Sequence, residues 1–344
     1  MKARAARAVA LLTPRGLGPR PLLPLLRART GYAQLLTGRR PAEALIDAPE
    51  ASVPYQARSA ELGLGGFALA LDGERHAAAR SLLVEVLGEA VPSHRGGLEA
   101  ARHAAVDQLA GASPVTDLVT DVAEPALVAW FERWSGLTGH GGSLLRTAEV
   151  IHHATFLNPA TGRERDADLR ARARAHELVA AERARLVQAL AGGLPDADPS
   201  SFGRRLLARL DRPTADPVVA DLDDVASQVL GLTVGPLALT LRSVASVLDR
   251  LLDEPATLAA IAAGGPIVAQ EQVLRLVAER PPLPGVLRRL TTPVRVPRRR
   301  GHRTARVPAG LVVAYAEAYA GDGGADPTFG HGRHACLGRR HAAE

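Results

Sequence analysis

Cysteine, methionine and lysine each occur once in 344 residues, the lysine at Lys2. A lone cysteine cannot close an intramolecular disulfide, which excludes a disulfide-stapled scaffold. Aromatic residues make up 3% of the chain, too few for the stacking platforms of single-strand nucleic-acid binders. With one lysine, the net charge of +6 is carried almost wholly by arginine. Beside abundant Ala, Gly, Leu and Pro, that points to coding bias rather than to an electrostatic footprint. The tract Pro297-Arg298-Arg299-Arg300-Gly301-His302-Arg303 is accounted for by a solvated basic face, since no nucleic-acid motif accompanies it. No nucleic-acid partner is expected.

Long hydrophobic runs are missing too. The longest uncharged stretch, Val225 to Leu241, is interrupted by Ser227, Gln228, Thr233 and Gly235-Pro236. It reads as a buried helix rather than a membrane span. Near the amino terminus, Lys2, Arg4 and Arg7 precede a short apolar run that Pro14 ends, too short for a signal sequence. A cytoplasmic chain with no membrane partner is expected, in keeping with its single thiol. At 47% hydrophobic the chain can bury a large core. With no repeat and no linker, residues 1–344 are expected to form one domain.

What is present is mostly helical patterning. Residues 169–191 read as an arginine-rich amphipathic helix with Leu178, Leu186 and Leu190 on one stripe, stopped by Gly192-Gly193. Residues 192–203 read as a loop. A long helix is expected over 224–252, distorted near Gly235-Pro236, because Pro236 lacks an N–H and clashes with the preceding turn. Strand signals are short and late, at Val294-Arg295-Val296 and at Leu311 to Tyr315. On a helix, His76 and Arg80 share one face and can converge on one anion.

The cysteine lies in Phe329-Gly330-His331-Gly332-Arg333-His334-Ala335-Cys336-Leu337-Gly338. Glycines at this density are costly to order unless the backbone approaches something closely or takes positive φ. Three plain readings compete: a buried cysteine acting as a small hydrophobe, a zinc site with His331, His334 and His341, and a Cys–His nucleophile using His334. A metal-centred macrocycle held by the sulfur is the fourth.

This string resembles the haem-binding loop of the cytochromes P-450, Phe-Gly-x-Gly-x-His/Arg-x-Cys-x-Gly, at every defined position. The resemblance implies a mainly α fold with small β-sheets, shortened at the meander and the carboxyl terminus, and haem b as cofactor. It makes Cys336 the axial thiolate, brings His334 to a haem propionate, packs Phe329 beside the sulfur, and lets Gly332 and Gly338 lie against the porphyrin. It also implies that His76 and Arg80, in Asp72-Gly73-Glu74-Arg75-His76-Ala77-Ala78-Ala79-Arg80, bind propionates, with Arg295 as a further propionate partner and Arg298 its competitor.

Two family features differ here. Aligned on Gly235, the acid–threonine pair that relays protons to dioxygen is replaced by Leu237 and Ala238, leaving Thr240 and Thr233 as nearby hydroxyls. The acid of the family's Glu-x-x-Arg pair is Gln272, ahead of Arg275, so this arginine must find another acid or solvent. Gly235 and Thr240 are the distal candidates. The implied activity is oxidation of a small apolar or lipid-like substrate, with a ferredoxin-type donor at the cysteine face near Arg333, Arg339 and Arg340. The run Gln272 to Arg289 and Val307-Pro308-Ala309-Gly310 is similar to bacterial relatives of the cytochrome P-450 domains fused to fatty-acid dioxygenases. That likeness implies hydroperoxide rearrangement instead, and a non-catalytic helper is a third possibility.

Overall fold

A computed structural model describes residues 32–36, 39–113, 115–157, 166–210, 218–279, 282, 285–297, 304–315 and 332–339. It opens with strand β1 (Tyr32–Leu36), helix α1 (Arg39–Ile46), the short strand β2 (Ala51–Ser52) and helix α2 (Gln56–Glu61). A single 3-10 turn at Ala68–Ala70 leads into α3 (Gly73–Glu89) and α4 (Val91–Ala110). Pro92 sits in the first turn of α4, where its missing N–H costs nothing. Helix α5 (Glu124–Ser135) ends at Gly136, whose φ of 79° forms the left-handed stop. Helices α6 (Gly141–His152), α7 (Asp166–Ala191) and α8 (Phe202–Leu207) follow.

The expected long helix is present in three parts. Helix α9 (Leu222–Thr233) starts where the Asp221 side chain accepts from the Asp224 N–H. A π-helical segment (Val234–Leu239) holds Gly235-Pro236, and α10 (Thr240–Asp253) continues from it. The wider turn absorbs the donor that Pro236 lacks. Helix α11 (Pro255–Glu279) is broken at Gly265 (φ 71°, ψ −168°), just before Pro266.

Strands β3 (Gly285–Leu290) and β6 (Gly310–Tyr315) join β1 and β2 in a four-stranded sheet of order β1-β6-β3-β2. The β1–β6 pair is parallel and the other two pairs are antiparallel. Strands β4 (Val294–Pro297) and β5 (Thr304–Val307) form a separate antiparallel hairpin. The fold is thus mainly α with two small sheets.

The main core gathers Leu83, Phe131, Leu144, Leu186, Leu190, Leu206, Leu230 and Leu237 from α3 and α5–α9 and the π segment. Leu222–Asp253 is long and apolar enough to cross a membrane, yet Val225, Val229, Leu230, Val234 and Leu237 are buried in this core. Along α7, Leu186 and Leu190 are buried as expected, but Leu178 is 42% exposed. The inward stripe runs through Ala175, Val179 and Glu182 instead, about 100° round the helix from Leu178.

Candidate functional site

The site forms where the amino end of α3, strand β3 and the loop at 332–339 meet. Gly332 opens that loop with φ 67°, and a Cβ there would come within 3.0 Å of the Asp47 carboxylate at the end of α1. Only glycine allows this approach. The 3-10 turn Gly332–His334 then carries His334 into the protein, where its side chain is 2% exposed.

His334 meets groups from two elements, α3 with its N-cap and β3. Its ring lies 4.0 Å from that of His76, at 39° between planes. Its Nε2 is 3.2 Å from Asp72 Oδ1, and its buried Nδ1 has no partner among the described residues. Burial, then the neighbouring His76 and Arg288, hold its pKa down to about 4 against the opposing pull of Asp72. Arg80, one turn beyond His76, donates from Nη1 to the Ala335 carbonyl at 2.7 Å. Arg80 thereby straps α3 to the cysteine loop.

Cys336 follows, exposed by its accessible surface, yet the surrounding protein desolvates its sulfur. That desolvation raises the thiol pKa, while the Gly338 N–H and the Arg80 guanidinium oppose it. Gly338 lies beside the sulfur, an ordinary contact distance of 3.8 Å from where a Cβ would stand. Leu337 packs against the main core and fixes the loop from behind.

The sequence-predicted residues divide clearly. His76, Arg80, His334, Cys336 and Gly338 come together, and Gly332 supplies the turn. Phe329 lies outside the described residues. Arg295 does not join them: it is exposed on the β4–β5 hairpin, opposite Arg306. The buried arginine is Arg288 on β3, 2% exposed and close enough to act on His334. Strand alternation explains the difference, since Val294 and Val296 take the inward positions of β4 and leave Arg295 outward. The Leu287-Arg288-Arg289-Leu290 string held the signal, a charged pair inside a strand whose neighbours are buried.

Gly235 and Thr240 share one face across the π segment. Both are exposed, and Thr240 Oγ1 donates to the Gly235 carbonyl at 3.4 Å. Leu237 and Ala238 are 0% exposed in the core. Thr233 is buried, its hydroxyl bonded to the Leu230 carbonyl. Arg275 is resolved by new partners. It takes Gln272 Oε1 at 3.0 Å, Glu279 at 2.6 Å and Glu254 at 3.7 Å. Arg250 bridges the same two glutamates, at 2.6 Å to Glu254 and 3.3 Å to Glu279.

No protein-family model and no curated protein matches the sequence. Solved structures do match. "Epothilone D-bound Cytochrome P450epoK" superposes with a TM-score of 0.72 at 14% identity, over 96% of this chain and 87% of that one. "P450BioI in complex with hexadec-9Z-enoic acid ligated Acyl Carrier Protein" gives 0.71 at 16%, over 95% and 88%. The fold is that of the cytochromes P-450. CalO2 is a further similar structure, at 0.72 and 18% over 95% and 85%. Chemically, Arg80, Arg288, His76 and His334, with the Asp72 carboxylate bonded to His334, suit a ligand that brings further carboxylates.

Proposed function

We propose that this chain is a haem-thiolate oxidoreductase of cytochrome P-450 type, acting on a small apolar or lipid-like substrate. The observation that carries the reading is the convergence of His76, Arg80, Arg288 and His334 on the loop that bears Cys336. The residues present fit haem. A macrocycle with two carboxyl groups needs polar partners at its edge; Arg80 and Arg288 would supply donors, and His334 Nδ1 is a buried nitrogen with no partner among the described residues. Cys336 would hold the iron, with the Gly338 N–H stabilising charge on its sulfur. Arg80, Arg288, His76 and His334 would hold the carboxyl groups. When bound, haem supplies the redox chemistry that no side chain possesses. In its absence burial favours the neutral thiol, so loss of the proton accompanies metal binding.

At the positions of the family's acid–threonine pair the chain offers no proton relay. Leu237 and Ala238 fill the core side of the π turn and carry no ionisable atom. Thr240 spends its hydroxyl proton on the Gly235 carbonyl. These observations favour a second reading, a hydroperoxide isomerase or peroxygenase whose oxidant arrives already reduced. The likeness to the dioxygenase-fused relatives supports it, and a lipid-like substrate matches the fatty acyl ligand named for P450BioI. A ferredoxin-type donor belongs to the first reading. It would meet the cysteine face at exposed Arg339, in the cytoplasm.

One comparison tests both. The haem-loaded protein is given a long-chain fatty acid with dioxygen and a ferredoxin–reductase pair, and separately a lipid hydroperoxide with no electron donor. Donor-dependent product supports the monooxygenase, donor-independent product the second reading. No product in either arm overturns the assignment as an enzyme of this type.

A further inference from the structure

We propose that Asp72 is a positioning residue of the cofactor site: it fixes which nitrogen of His334 meets a cofactor carboxyl, and it holds the cysteine loop in register with α3. The proposal rests on reading the site as a haem site.

Asp72 occupies the N-cap of α3 in extended geometry (φ −133°, ψ 170°) but makes no side-chain cap hydrogen bond. An aspartate there ordinarily accepts from the first-turn N–H groups, and forgoing them costs helix stability. Its carboxylate is committed elsewhere. Oδ2 accepts the Val53 N–H at 3.1 Å and Oδ1 accepts from His334 Nε2 at 3.2 Å. One side chain thus joins the segment after β2, the start of α3 and the cysteine loop, the last of these 262 residues away. A local rule broken for long-range contacts marks a position selected for the site rather than for the helix.

A carboxylate only accepts, so the proton between Asp72 and His334 sits on Nε2. Nδ1 is then the ring atom left inside the site, buried and without a partner among the described residues. The His76 ring at 4.0 Å blocks a flip that would exchange the two nitrogens. Asp72 cannot swing away to make room for a ligand, because leaving would strand the Val53 N–H. The ring therefore presents Nδ1 before the cofactor arrives. An unprotonated Nδ1 accepts, so a cofactor carboxyl meets it by bringing its own proton as the carboxylic acid, and the ring is placed for that contact before binding rather than assembled on it.

Two readouts test this. In the haem-free chain labelled with 15N-histidine, His334 should be the Nε2–H tautomer in wild type and in Asp72→Asn, which keeps an acceptor oxygen. It should lose that preference in Asp72→Ala. In the haem-loaded protein, Asp72→Ala should speed haem transfer to an apo-globin acceptor at least about tenfold. Added to His334→Ala, the same change should alter the rate by no more than about twofold. A His334 tautomer unmoved by Asp72→Ala, or an equal acceleration in both backgrounds, overturns the proposal. If wild type takes up no haem, the functional reading fails, and the tautomer measurement alone decides the role of Asp72.

Discussion

Replacing Gly231 with alanine should destabilise the protein, although the same change usually strengthens a helix. Gly231 lies in α9, one turn before Gly235, and the ring of Phe67 covers it. A Cβ at Gly231 would stand within 3.0 Å of Cγ, Cδ1 and Cδ2 of that ring, where ordinary contact begins at 3.4 Å. The ring cannot retreat cheaply. Phe67 is 5% exposed, its N–H donates to the Leu64 carbonyl, and the neighbouring Gly66 carbonyl accepts from Gln228 Nε2 at 2.7 Å. Overpacking of this kind costs about 1–3 kcal/mol, against about 1 kcal/mol gained from helix propensity. Three ring carbons inside 3.0 Å put the cost in the upper part of that range, so a net loss of about 1–2 kcal/mol is expected by urea denaturation. Gly235→Ala has nothing within 4 Å of the added carbon and should be near neutral for folding. In a Phe67→Ala background, Gly231→Ala should become neutral or stabilising. A Gly231→Ala protein as stable as wild type would refute the close seating of residues 66–68 on the central helix.

Arg209 is the buried member of an ionic triad, 6% exposed in its side chain and 2.9 Å from both Glu85 and Glu89, which are 53% and 32% exposed. Removing both glutamates (Glu85→Gln with Glu89→Gln) strands a buried cation and should cost about 3–5 kcal/mol. Arg209→Met should cost less, because it leaves two half-solvated carboxylates; urea midpoints in the reverse order would contradict this. Acid should also weaken the fold. His152, 0% exposed, has its pKa pushed down to about 4 by burial, then by Arg242 and His153, and His334 is lowered similarly. The unfolded chain binds these protons near pH 6.5, so stability is complete above 6.5 and is lost as the pH falls toward 4. The gap sets a ceiling of about 3 kcal/mol per ring, and water access lowers it. Denaturation midpoints that stay flat between pH 4 and 7 would contradict the burial of these rings.

The cysteine loop and the His76–Arg80 pair were legible in the sequence because each is a short local string. The distortion at Gly235-Pro236 was legible for a covalent reason, the missing proline N–H. Arg288 was not, because choosing among Arg288, Arg289 and Arg295 requires strand register, and register depends on partners far away in the chain. The role of Asp72 was hidden for the same reason: its sequence position reads as a helix cap, and only the fold brings Val53 and His334 to its carboxylate. Arg275 lay between these cases. The absent acid at Gln272 and the i,i+4 partner Glu279 on the same helix were visible, whereas Glu254 meets Arg275 only once the chain has folded back between α10 and α11.

The proposed function depends on a sulfur–iron bond at Cys336. The most direct test is the absorption spectrum of the haem-reconstituted, reduced chain with carbon monoxide. The strongly red-shifted Soret band of a thiolate ligand is expected in wild type, and its loss in Cys336→Ser. Failure to take up haem, or a band that Cys336→Ser leaves unchanged, would contradict the account.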